Sequence, residues 1–217
     1  MDTSKTPTRG RAFAVPRPDY RGKRTFDVVA SLGALVLSAP LWPLIALAIR
    51  TETRGPVLYR ARRVGRGGTA FTLLKFRSMR TGVRGPGVTA GSDSRITRTG
   101  RLLRKSKLDE LPQFINVLRG DMSLVGPRPE DEQYLPFYSE AELEVLTVRP
   151  GITGAAAVAY RHEETLLARA EDVETAYRNE VLPAKLALEL QYLERCSLVT
   201  DLRLIVQTAL AVGRRAT

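Results

Sequence analysis

An adjacent acid pair, Asp109-Glu110, is followed eighteen residues later by an arginine locked between two prolines, Pro127-Arg128-Pro129. Paired carboxylates suit a divalent cation or a nucleophilic carboxylate, and a fixed guanidinium suits a phosphate. The two together point to phosphoryl chemistry. Pro112 is tolerated only in a first helical turn, so a helix is expected over residues 109–119 with Asp109 close to its N-cap. There the helix dipole would keep the carboxylate ionised. Taken alone, the pair also reads as a capping Asp followed by a first-turn Glu.

Further cations accompany the acids. Lys75 and Arg77 alternate with Phe76, so they share one face of an extended segment and could hold a diphosphate or form a solvated strand face. Arg95, Arg98, Arg101 and Arg104 recur every third residue and form a basic edge leading into the acid pair. Residues 1–107 carry 23 Lys/Arg against 5 Asp/Glu, while residues 108–217 carry 11 against 18. This asymmetry implies an anionic partner: a phosphorylated substrate, an acidic membrane surface or nucleic acid. One cysteine, Cys196, and one histidine, His162, exclude an intrachain disulfide and a Cys-based zinc cluster. Metal ligation falls to carboxylates, which favours Mg²⁺ or Mn²⁺.

Several elements must position these groups. Residues 28–49 form an uncharged run of 22, roughly 33 Å as a straight helix. Arginines and lysines flank it on both sides, and positive charge marks the cytoplasmic side of a membrane. Pro40 lies inside the run, with Ser38 placed to satisfy a freed backbone group. A helix broken at Pro40 that enters and leaves on one face fits both features; a kinked spanning helix is the alternative. The run is too long for an ordinary signal peptide. Residues 1–20 read as a disordered basic tail. Residues 57–59 and 71–76 read as short strands around a glycine-rich turn, and residues 82–100 as a loop. Helices are expected over 139–147, 171–195 and 199–212. The last carries a stripe of Leu202, Ile205, Val206, Ala209 and Leu210, suited to a core or to a membrane.

Six ordered segments then resemble the bacterial sugar transferase family of small monotopic polyprenyl-phosphate phosphoglycosyl transferases. They are Lys23-Arg24-Thr25-Phe26-Asp27, Gly55-Pro56-Val57, Lys75-Phe76-Arg77-Ser78-Met79, and the segments at residues 107–113, 120–129 and 149–154. The resemblance covers residues 21 to about 212. It implies an α+β, mostly helical, monotopic membrane protein with a re-entrant helix over residues 21–50, a short β-hairpin, interfacial amphipathic helices and a cytoplasmic catalytic domain over 51–217. It implies transfer of a sugar 1-phosphate from a UDP-sugar to undecaprenyl phosphate, on the cytoplasmic face of the bacterial inner membrane and in a glycoconjugate or exopolysaccharide pathway. Asp109 would be the nucleophile and Glu110 its partner, with Mg²⁺ on the pair. Lys75, Arg77, Arg95, Pro127, Arg128, Pro129 and Arg149 would contact substrate, and Ser38 and Pro40 would form the membrane break. Membrane lipids are expected partners and nucleic acid is not, while a monomer and a homodimer both stay open. Residues 155–164, Ala155-Ala156-Ala157-Val158-Ala159-Tyr160-Arg161-His162-Glu163-Glu164, replace the Trp-Ala-Gln-Val-Asn-Gly-Arg-like run of many members and resemble a branch with a Tyr-Arg-Asn-Glu-Glu-like run. Ala39 stands where many members have Ser before the helix-breaking proline.

Two other classes compete. A membrane-anchored nucleic-acid binder accounts for the charge but not for the acid pair, and its basic stretches lack interleaved aromatics. A non-catalytic scaffold leaves Asp109-Glu110 beside Arg128 without a purpose.

Overall fold

The structure, a computed structural model, describes residues 19–81, 93–168 and 170–216. Residues 1–18 of the tail expected over 1–20, and most of the glycine-rich loop, 82–92, lie outside the described residues; Asp19 and Tyr20, the last two of that tail, bind Arg149 and Asp201. The fold is mostly helical with one antiparallel hairpin, in agreement with the α+β expectation.

The apolar run folds as two helices, α1 (Lys23–Ser38) and α2 (Leu41–Glu52), bent by 63°. Pro40 has no N–H, so the ladder shifts register: the Ala39 amide donates to the Val36 carbonyl at 3.3 Å. That leaves the Leu35 carbonyl, which accepts from the Ser38 hydroxyl, and Ser38 Oγ in turn accepts from the Trp42 indole at 3.2 Å. Ser38 therefore satisfies the freed group as its position predicts. Among the described residues no single helix is long and apolar enough to cross a membrane.

α1 is inside out. Lys23, Asp27, Ser31 and Ser38 are buried, whereas Val29, Leu32, Val36 and Leu37 face outward, Leu37 at 83% exposure. α2 buries Ile45 and Ile49 and exposes Leu41, Leu44 and Leu47.

Next comes the hairpin, β1 (Leu58–Val64) paired with β2 (Ala70–Phe76), in register from Leu58 opposite Phe76 to Val64 opposite Ala70. The first strand runs five residues beyond the expected end at Tyr59. Ala61 and Val64 are buried although, three residues apart, they point to opposite faces, so each face packs on a part of the domain, and cross-strand pairing overrides the arginine-rich composition. The turn uses Gly67 and Gly68 at φ 66° and 73°. α3 (Arg98–Lys105) is capped by the Thr97 hydroxyl, and Glu52 at the end of α2 accepts from the amides of Arg98 and Thr99.

The helix expected over 109–119 is split. Lys107 sits at φ 59°, residues 108–110 make a single 3₁₀ turn, and α4 (Gln113–Arg119) begins only after Pro112. Pro112 cannot donate back to Leu108, so the first turn closes with tighter bonds, Glu110 to Lys107 and Leu111 to Leu108. β3 (Ser123–Val125) then pairs in parallel with β4 (Gly151–Thr153). Between them the expected helix over 139–147 is a 3₁₀ segment, Glu142–Thr147, that buries Leu143, Val145, Leu146 and Thr147. Burial on several sides does not match the one-sided stripe of an α-helix.

Short helices α5 (Ala155–Ala159), α6 (Glu163–Leu167) and α7 (Val173–Ala176) lead through a π turn, Tyr177–Val181, into α8 (Leu182–Glu194). α9 (Leu198–Ala216) follows. It buries Asp201 and Leu204 and turns Leu202, Val206 and Leu210 outward, so most of the predicted stripe is surface rather than core.

Candidate active site

Two docking devices hold the acid pair and the Pro127-Arg128-Pro129 loop. Asn116, fully buried on α4, mimics a strand: its Oδ1 accepts from the Leu74 amide at 3.0 Å and its Nδ2 donates to the Thr72 carbonyl at 2.7 Å. This locks α4 to β2 and sets Lys75 beside the acid pair. The second device is the β3–β4 ladder. The Gly126 amide donates to the Thr153 carbonyl and the Gly151 amide to the Pro127 carbonyl. A β-carbon on Gly151 would lie 2.2 Å from the Gly126 nitrogen, so a side chain there would force the strands apart.

The Lys-Arg-Thr-Phe-Asp segment braces both devices. Lys23 Nζ lies 2.6 Å from Asp201 Oδ2 and 3.2 Å from Asp27 Oδ1, and donates to the Val125 carbonyl. Asp27 accepts from the Leu124 amide, and Tyr20 and Tyr192 both donate to Asp201. Arg24 donates to the carbonyls of Val117 and Leu118, the frayed end of α4.

At the centre, Asp109 and Glu110 are 5% and 8% exposed. Lys75 Nζ lies 3.1 Å from Glu110 Oε1 and Lys107 Nζ 3.5 Å from the same atom. Burial raises the Glu110 carboxyl, but Lys75, Lys107 and Arg128 outweigh it and hold its pKa below the usual carboxylate range. Asp109 behaves oppositely. Burial pushes its carboxyl up, Lys75 opposes, and the Glu110 charge adds to the rise. Its Oδ1 is buried without a hydrogen-bond partner. The expected N-cap carboxylate held down by a helix dipole is therefore not what forms: the 3₁₀ turn separates Asp109 from the α4 terminus.

Arg128 lines one cavity with Glu110 and Lys107. Burial opposes its charge, and Glu110, Glu130 and Glu163 more than restore it. Behind it Lys185, 4% exposed, holds Glu130 at 3.1 Å and Glu163 at 3.2 Å. Pro127 is buried and Pro129 half-buried.

The other expected contacts are committed elsewhere. Arg77 donates to the carbonyls of Thr53 and Arg54 and tethers the end of α2. Arg95 pairs with Asp93 through Nε and Nη2. Arg149 donates to the Gly120 carbonyl and pairs with Asp19. The structure brings Lys75, Asp109, Glu110 and Arg128 together and leaves these three arginines as struts. Sequence reasoning missed Asn116, Lys185 and Glu130. A lone lysine in the apolar run of residues 181–190 was the available signal for Lys185.

The bacterial sugar transferase family model matches residues 19–215. The chain belongs to that family. Within it, the chain is 42% identical over 191 residues to a UDP-glucose:undecaprenyl-phosphate glucose-1-phosphate transferase of Caulobacter vibrioides, covering 86% of this chain and 67% of the relative. It is 37% identical over 202 residues to the exopolysaccharide production protein PSS of Rhizobium leguminosarum bv. phaseoli, covering 87% and 94%. It is 42% identical over 156 residues to a UDP-N-acetylgalactosamine-undecaprenyl-phosphate N-acetylgalactosaminephosphotransferase of Aeromonas hydrophila, covering 67% of this chain and only 36% of that relative. As a bacterial sugar transferase the chain is a member of a transferase family. The shared portion includes the struts as well as the acid pair.

Proposed function

We propose that this bacterial sugar transferase moves a sugar 1-phosphate from a UDP-sugar to undecaprenyl phosphate, in an exopolysaccharide or glycoconjugate pathway, with Asp109 as a covalent nucleophile. The observation that carries this reading is the contrast within the dyad. Glu110 is fixed by two lysines, whereas the Asp109 carboxylate is buried with Oδ1 unengaged. A desolvated carboxylate without hydrogen bonds is the more reactive nucleophile.

In the first half-reaction an Asp109 oxygen attacks the phosphorus that bears the sugar. A P–O bond to Asp109 forms, the bond to the bridging oxygen breaks, and the electron pair leaves with UMP. In the second, a phosphate oxygen of undecaprenyl phosphate attacks the same phosphorus and expels the Asp109 carboxylate. Lys75, Lys107 and Arg128 offset the repulsion between carboxylate and diphosphate and the charge on the leaving group.

Mg²⁺ fits the donor set. The orphaned Asp109 oxygen and the adjacent Glu110 supply hard oxygens, and substrate phosphates and water would supply the remaining ligands. Bound there, Mg²⁺ would supply charge neutralisation on the diphosphate.

Localisation at the cytoplasmic membrane face rests on the outward apolar residues of α1, α2 and α9 and on the positive flanks of residues 28–49. Both ends of the bent pair return to the folded domain: Lys23 and Asp27 bind α9 and β3, and Glu52 binds α3. A re-entrant hairpin keeps both ends on one face, which supports it over a spanning helix.

The test uses detergent-solubilised protein with a UDP-sugar, undecaprenyl phosphate and Mg²⁺. UMP release and a phosphosugar adduct on Asp109 are expected, and both vanish in Asp109→Asn. Normal turnover by Asp109→Asn overturns the reading.

A further inference from the structure

The cavity beside Glu110 has a volume of about 210 Å³. Its lining combines Lys107, Arg128 and Arg161 with an apolar set that includes Phe114, Ile152, Val158, Ala211 and Val212. Two polar side chains in that lining, Thr153 and Thr208, bond to each other at 2.6 Å. They offer no clear donor set for a uracil base or for sugar hydroxyls. Such an apolar lining suits hydrocarbon, while the three cations suit a phosphate.

Its position agrees. Thr208, Ala211 and Val212 lie on one side of α9, whose opposite side presents Leu202, Val206 and Leu210 to the exterior. The same helix thus lines the cavity with one face and presents an apolar face to the exterior with the other. Arg161 is exposed, and it stands between two anchored neighbours: Tyr160 packs on the core around Tyr134 and Tyr177, and Glu163 pairs with buried Lys185. These neighbours hold the backbone on both sides of Arg161, so its guanidinium is presented from an anchored segment.

We propose that this cavity is the acceptor subsite, with the first isoprene units of the polyprenyl phosphate against Phe114, Val158 and Ala211 and its phosphate between Arg161 and Lys107, facing the Asp109 adduct. This rests on the two-step reading above, and it assigns Arg161 to the second step only. The acceptor oxygen forms the new P–O bond while the bond to Asp109 breaks, so the cavity does not act until UMP has left.

The two half-reactions separate this proposal from that reading. Donor alone gives a single burst of UMP; donor with undecaprenyl phosphate gives turnover. Ala211→Trp fills the cavity, and Arg161→Ala removes the exposed cation without opening the core. In each, the KM for undecaprenyl phosphate is expected to rise about tenfold or more, a loss of about 1.4 kcal/mol in acceptor binding, with the donor-alone burst retained. Arg161→Lys recovers part of the loss. An unchanged acceptor KM in both variants overturns the assignment. So does a burst lost in Arg161→Ala, which would place Arg161 on the donor. Absence of a burst in the unmodified protein instead sinks the covalent reading itself.

Discussion

Lys75 on β2 reaches Glu110 on the 3₁₀ turn at 3.1 Å, across a boundary set by the Asn116 clamp. The pair does more than neutralise two charges. It fixes the second carboxylate of the dyad, whereas the first keeps a buried oxygen without a hydrogen-bond partner.

Replacing Lys75 by Met should therefore cost more than one ion pair. It leaves two adjacent buried carboxylates with Lys107 and Arg128 as the remaining cations on Glu110. kcat/KM should fall on the order of 100-fold, as for loss of one preorganised charge in a site. Lys75 is also the chief influence holding the Glu110 carboxyl down, so its pKa rises in the variant. The acidic limb of the pH–rate profile should move to higher pH. A fall in rate with an unmoved limb would separate Lys75 from Glu110 titration.

Lys23 carries a different prediction, on stability. Asp27 and Asp201 are 1% and 0% exposed, and Lys23 is the cation that both of them contact. Lys23→Met leaves two carboxylates buried without it, a loss of about 3–5 kcal/mol. Thermal unfolding in detergent measures this. Adding Asp201→Asn to Lys23→Met should restore part of the loss, because one uncompensated charge is removed. A full-sized loss in the double variant would show that packing, not charge, dominates.

The membership of the candidate site was legible in the sequence further than its geometry. Asp109, Glu110, Lys75 and Arg128 are named by their types and spacing, and the structure brings them together. Arg77 and Arg149 have the same chemistry on paper, and local spacing cannot say whether a guanidinium meets substrate or a backbone carbonyl. That depends on partners 23 and 29 residues away, Arg54 for Arg77 and Gly120 for Arg149. The break at Pro40 was legible because a missing N–H acts locally. The split after Glu110 was not: Pro112 permits a first-turn position, but the left-handed Lys107 and the docking of α4 on β2 decide where the helix starts. The inverted burial of α1 was half legible. Its apolar run marks a membrane candidate, whereas the inward Lys23, Asp27 and Ser31 show only when α9 and β3 are beside them.

Glu189 gives a pH-dependent prediction. It lies on α8, accepts from the Ala156 amide at 3.1 Å, and its Oε2 is buried without a partner. Burial pushes its pKa from 4.5 up to about 7, against the lowering effects of the Ala156 amide and Lys185. The unfolded chain releases this proton near the ordinary value, while the folded chain holds it to about 7. Stability should fall as pH rises through that window, by on the order of 3 kcal/mol once the group is ionised. Glu189→Gln keeps an acceptor for Ala156 and cannot ionise. Unfolding midpoints of this variant should flatten between pH 4.5 and 7 and exceed the parent above it. Parallel curves for the two proteins would show that Glu189 does not titrate there.

The bent helix pair yields the last prediction. Arg21 and Arg54 are exposed and flank α1 and α2, and among the described residues neither side chain has a hydrogen bond or an ion pair; the Arg54 carbonyl, which Arg77 uses, survives substitution. In a Cys196→Ser background, Arg21→Cys and Arg54→Cys report the two ends of the apolar run. A hairpin that dips into one leaflet and returns keeps both positions on the cytoplasmic side, so both should resist an impermeant thiol reagent in intact cells and react after lysis. The physical ground is the doubled positive flank: a spanning helix must leave one cluster of arginines outside, against the charge bias of membrane insertion. It must also pull Lys23 and Asp27 away from Asp201 and Leu124, or Glu52 away from the amides of α3. Labelling at one position alone in intact cells shows that the pair crosses.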